Sequence, residues 1–94
     1  QKTKRYEGTK NTDKDSYIYY IPEESADNIY LVCDITEYDT TASGDKGIEV
    51  YVNDKLIGNI DSKGTTKLKI GYVSGDELLT VKFHADNAEY TLYR

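Results

Sequence analysis

The chain has 94 residues, with 17 Asp and Glu against 12 Lys and Arg and a net charge of −5. That length fits one small domain and leaves little room for a second core. The acidic balance weighs against nucleic acid and anionic membrane surfaces, which need clustered cations; the basic group Lys2, Lys4 and Arg5 reads as a solvated terminus.

In chain order, the first 15 residues hold few apolar side chains and read as a weakly ordered lead-in, with a weak strand over Thr3–Glu7. A full strand is predicted over Tyr17–Ile21, where Tyr17, Tyr19 and Tyr20 put aromatic rings on both faces. The connector PEESADN follows, with room for one helical turn at most in ESADN. Ile29, Leu31, Cys33 and Ile35 then alternate with Tyr30, Val32 and Asp34, the period of a half-buried strand. The stretch EYDTTASGDKG reads as a loop that contains Tyr38. Ile48, Val50 and Val52 alternate with Glu49, Tyr51 and Asn53, and a return strand covers Leu56–Ile60. Leu68 and Ile70, then Leu79, Val81 and Phe83, mark two further strands, and Ala88–Tyr93 marks the last.

Each strand has one apolar and one mostly wet face, as antiparallel sheets do. Seven or eight short strands joined by Asn-, Asp-, Gly- and Ser-rich turns predict an all-β, antiparallel two-layer β-sandwich, jelly-roll-like, formed as a single domain over residues 1–94. Hydrophobic residues make up 37%, below the usual ~45–50%. Ten tyrosines offset part of that deficit, so the core is expected to be thin and partly aromatic. The chain starts at Gln1 and contains no methionine, which points to a processed chain or a piece excised from a larger protein. It shows no signal peptide and no apolar run near the ~20 residues of a membrane-spanning helix, so direct membrane insertion is not expected.

The segment Val52–Leu56 has a local logic. Asn53-Asp54 separates two apolar runs, and a two-residue hairpin needs positive φ at both central positions. Asn and Asp tolerate that conformation better than other residues with a Cβ. Gly58 in the return strand predicts a bulge or a close backbone approach.

The run IEVYVNDKLIG, followed by TTKLKIGYVSGDELLTVKF, resembles the soluble β-sandwich parts of the bacterial YfhO family of polytopic membrane proteins. There a strand ending in Val-Asn/Asp-Gly-Lys leads to a second strand, a Gly-Asp or Gly-Glu turn and a final apolar strand. Galactose-binding-like jelly rolls and PEGA-type domains of cell-surface proteins share the pattern. The resemblance runs from about Ile29 to Phe83, and Asp54 stands where glycine is usual. It implies an extracytoplasmic domain tethered to a membrane protein of the cell envelope, linked to glycosylation of surface polymers. It carries no catalytic residue onto this chain.

Candidate chemistry is sparse. Cys33 is a lone cysteine in an apolar run and reads as a small buried hydrophobe. Asn11, Asp13 and Asp15 repeat an oxygen ligand like the start of a calcium loop, but Ser16 and Pro22 stand where that loop needs glycine and glutamate. A looser site could draw on Asp39 or Asp45, though acidic loops are ordinarily just solvated. His84 is the only histidine and cannot supply a zinc ligand set with one cysteine. It reads as an exposed strand-end residue. A Ser74, His84 and Asp86 triad has no nucleophile elbow to support it. Glu23-Glu24 and Asp76-Glu77 sit in turns, and no metal or cofactor is expected.

The tyrosines remain. Their plain role is cross-strand packing. Their functional role would be an aromatic platform, for which Tyr30 and Tyr51 with the nearby polar Glu49 and Asn53 are the candidates. The sequence thus predicts a non-catalytic extracytoplasmic accessory or interaction domain of a bacterial envelope membrane protein. Its expected partners are carbohydrate, an envelope polymer or the membrane portion of its own parent. The alternatives are a carbohydrate-binding module using surface tyrosines, or a structural spacer of a surface adhesin.

Overall fold

The computed structural model describes residues 15–40, 47–85 and 91–93. Within them the chain is all-β. Its strands are β1 Ser16–Tyr20, β2 Ala26–Ile35, β3 Tyr38–Thr40, β4 Ile48–Val52, β5 Lys55–Ile60, β6 Gly64–Val73, β7 Leu79–Ala85 and β8 Thr91–Tyr93. The strand expected at Thr3–Glu7, the lead-in up to residue 14, and Asn11, Asp13, Asp45 and Asp86 lie outside the described residues.

All pairings are antiparallel. β1, β7, β4 and β5 form a four-stranded sheet in that order, β2 pairs with β6, and β3 pairs with β8. The alternating pattern decides which way each strand faces. Val81 lies opposite both Ile18 and Val52, and Phe83 lies opposite Val50, so these residues line one side of the four-stranded sheet. They share a single core with Cys33 and Ile35 of β2, and Leu31, Leu68 and Ile70 of the β2–β6 pair pack against it. The two sheets therefore face each other across one apolar layer, a two-layer sandwich. Ile48, Val50 and Ile60 are its fully buried centre. Tyr93 supplies the aromatic part, buried with its ring 6.4 Å from that of Phe83.

The β4–β5 hairpin turns as its sequence requires: Asn53 and Asp54 have φ of 47° and 68°. A bulge follows, because Val50 pairs with Gly58 whereas Tyr51 pairs with Leu56. At one end of the sandwich the β1–β2 and β6–β7 connections are clasped together. Asp76 N–H donates to Pro22 O at 2.8 Å, and Gly75 N–H donates to Ser25 Oγ at 2.8 Å.

Two local expectations need correction. ESADN makes no helical turn: β2 begins at Ala26, and its register shifts past Asn28, whose φ is 57°. Pairing with β6 supplies backbone partners that a single helical turn leaves unmet. Tyr38 does not lie in a loop but opens β3, opposite Tyr93. Three residues are too few to show alternation, and the half-buried Tyr38 ring packs on a core completed by another strand.

Candidate functional site

With Val50, Val52, Val81 and Ile18 turned inward, the odd residues of β1 and the even residues of β7 face solvent on the four-stranded sheet. Across that face Tyr17 lies opposite Lys82, which lies opposite Tyr51, and His84 lies opposite Glu49. Tyr19 lies opposite Thr80. Ile21 and Leu78 flank the last β1–β7 pair, Tyr20 and Leu79, and continue the same side by alternation.

This face gathers the exposed apolar surface. Of eight exposed large hydrophobic residues among the described ones, Tyr17, Tyr19, Ile21, Leu56 and Leu78 belong to it. Such clustering on one side differs from the scattered exposure of ordinary surfaces. The Tyr17 and Tyr19 rings are near-parallel, with an interplanar angle of 7° and centroids 6.1 Å apart. They are 48% and 59% exposed, so they are open to a ligand.

A polar network borders the rings at one end. His84 Nδ1 and Asp15 Oδ1 are hydrogen-bonded at 2.6 Å, and His84 Nε2 lies 4.0 Å from Glu49 Oε1. Tyr51 O–H donates to Glu49 Oε1 at 3.2 Å, and Tyr17 O–H reaches Asp15 Oδ2 at 3.5 Å. Asp15, just before β1, is held by His84, which is a half-exposed, tethered side chain rather than a bare strand end. Among the described residues no three His, Cys, Asp or Glu side chains are grouped to hold a metal. Ser74 sits before the start of β7 and His84 near its end, roughly 16 Å apart along the strand, so these two do not meet.

The residues nominated from sequence separate. Glu49 and Tyr51 lie together on this face, joined by their hydrogen bond. Tyr51, however, is only half exposed, and Lys82 Nζ sits 4.5 Å over its ring. Asn53 is occupied at the hairpin: its backbone N–H donates to Thr80 O, and its Oδ1 accepts from Thr80 N–H, both at 2.9 Å. Tyr30 lies on the outer side of β2, on the opposite layer, with Lys67 Nζ 5.3 Å over its ring. Tyr17 and Tyr19 are the open aromatics that the candidate set omits. The YIY spacing places both on one face, but only the β1–β7 pairing sets them beside Asp15, Lys82 and His84.

A shallow depression of about 320 Å³ lies at the hairpin end, lined by Asn53, Tyr72, Val73, Ser74, Glu77 and Leu79. No buried side-chain polar atom among the described residues lacks a partner, so none is left pointing at an absent ligand. The surface offers two exposed, stacked rings bordered by hydrogen-bonding groups. Comparison of the chain with known protein families, curated proteins and solved structures returns no match.

Proposed function

We propose that the chain is a non-catalytic carbohydrate-binding module. It acts as an accessory domain outside the cytoplasm, tethered to a bacterial envelope membrane protein. The observation that carries the binding reading is the exposed Tyr17–Tyr19 pair on a face bordered by Asp15, Glu49 and His84. A pyranose ring has a C–H face, which stacks on aromatic rings, and a rim of hydroxyls, which needs hydrogen-bonding groups at the border. Tyrosine suits this use because it presents a large amphipathic surface with little side-chain entropy to lose.

The test is titration with soluble glycans of bacterial envelopes. Saturable binding is expected, weakened about tenfold (about 1.4 kcal/mol) by Tyr19→Ala and unchanged by Tyr72→Ala on the other layer. Absence of binding to every glycan, or binding indifferent to Tyr17 and Tyr19, refutes the reading. A parent gene made only of repeated β-modules, with no hydrophobic spans, would replace the accessory role with that of a spacer.

A further inference from the structure

We propose that the Tyr17–Tyr19 face selects glycans carrying free amino groups, such as polymers of unacetylated hexosamine. The inference rests on the carbohydrate-binding reading and adds the charge of the ligand.

The first argument is where the charges lie. At one end of the tyrosine pair stand the carboxylates of Asp15 and Glu49. At the other end, the clasp between the β1–β2 and β6–β7 connections brings exposed Glu24, Asp76 and Glu77 next to Ile21 and Leu78. From Asp15 to Ile21 the strand spans roughly 20 Å, room for several sugar units between acidic ends. Lys82 is the one lysine on this face among the described residues, and its ammonium is placed over the Tyr51 ring. Lys67 and Lys69 lie on the outer side of β6, in the opposite layer. Exposed Asp34 of β2 shares that outer side, whereas on the aromatic face described carboxylates stand at both ends of the tyrosine pair, where an ammonium is attracted.

The second argument is the rings themselves. A tyrosine face is electron-rich and attracts an ammonium. Among the described residues that attraction is made at Lys67 over Tyr30 and at Lys82 over Tyr51. No described lysine is placed over Tyr17 or Tyr19, which stack on each other and remain 48% and 59% exposed. An amino sugar brings both a C–H face and an ammonium to such rings. A neutral sugar uses only the stacking, and an anionic one meets repulsion from the carboxylates. A lysine-rich peptide matches the charge but has no flat C–H face to lay on parallel rings.

The experiment compares glucosamine oligomers with fully N-acetylated oligomers of the same length, by calorimetric titration of the intact chain at low and raised salt. The amine form is expected to bind at least about tenfold more tightly, with the gap narrowing as salt screens the carboxylates. Tyr19→Ala should weaken both forms, and Asp15→Asn or Glu49→Gln only the amine form. Thermal melts confirm that each variant folds, and the two carboxylate variants leave every core side chain intact. Equal affinity for the two forms, with both weakened by Tyr19→Ala, overturns the amine selection and leaves the carbohydrate reading standing. Binding of neither form, and of no other glycan, overturns both. Oligolysine binding as tightly as the amine form, with the same Tyr19 dependence, overturns the assignment to a glycan in favour of a basic peptide.

Discussion

Leu68 of β6 packs directly over Gly58 of β5: a Cβ at Gly58 would stand 2.6 Å from Leu68 Cδ2. The missing side chain lets the return strand of the hairpin run beneath β6, where the two sheets meet. Leu68 can swing its methyl aside, so Gly58→Ala should cost about 1 kcal/mol from overpacking. Gly47 is a harder case, because its φ is +80° and its added Cβ would meet the Ile60 backbone oxygen at 2.7 Å. Backbone cannot step aside, so Gly47→Ala should cost about 2–3 kcal/mol, combining left-handed strain with the clash. Urea melts of the two variants should rank Gly47→Ala as the worse. The reverse order would mean that Leu68 is held rigidly.

The hairpin separates backbone conformation from side-chain bonding. Asp54 has φ of 68°, where glycine carries no Cβ penalty. Asp54→Gly should therefore stabilise the fold by about 0.5–1 kcal/mol. Asn53→Gly also suits its φ but loses the Oδ1 acceptor for Thr80 N–H. It should destabilise by about 1 kcal/mol despite the easier backbone. Equilibrium unfolding would show opposite signs at adjacent positions. Two stabilising glycines would mean that the Asn53–Thr80 bond contributes little.

Burial pushes the Cys33 thiol from 9.0 up to about 11. Between those values the folded chain keeps a proton that the unfolded chain has released. Stability should then fall as pH rises through that window, by at most about 1.4 kcal/mol per pH unit. The informative quantity is the difference from Cys33→Ala, which should show a shallower decline. The native thiol should also resist alkylation at neutral pH until the chain unfolds. Rapid labelling of the folded protein would contradict the buried placement.

The clasp between connections gives a fourth expectation. A Cβ on Gly75 would lie 2.9 Å from both Glu24 Cα and Ser25 N, and Gly75 N–H bonds to Ser25 Oγ. Ser25→Ala should cost about 0.5–1 kcal/mol, since the bond is solvent-exposed. Gly75→Ala should cost more, because it forces two backbone segments apart. Hydrogen exchange at Asp76 N–H, bonded to Pro22 O, should quicken in both variants. Unchanged exchange would show that the two connections hold independently.

Much of this was legible in the residues. Alternation in Ile29–Ile35, Ile48–Val52 and Leu79–Phe83 names the inward positions, because a strand has only two faces and water sorts them. The Asn53-Asp54 turn and the special role of Gly58 followed from backbone sterics, and the structure has both. β3 was not legible, because a three-residue strand gains its stability from a distant partner, Tyr38 pairing with Tyr93 and Thr40 with Thr91. The candidate face was half legible. Glu49 and Tyr51 alternate onto one face of β4, where they are hydrogen-bonded, but their neighbours belong to β1 and β7. Alternation tells which residues share a face of one strand and says nothing about which strand lies alongside.

The sequence by itself determined that the protein is a small antiparallel β-domain, which side chains turn inward and where the β4–β5 hairpin bends. Those are local consequences of strand period and of φ. Only the tertiary structure decided that Lys82 covers Tyr51 and Lys67 covers Tyr30, whereas Tyr17 and Tyr19 stay open beside Asp15 and His84. Strand order and register set those neighbours, and both depend on how two apolar faces close over one core.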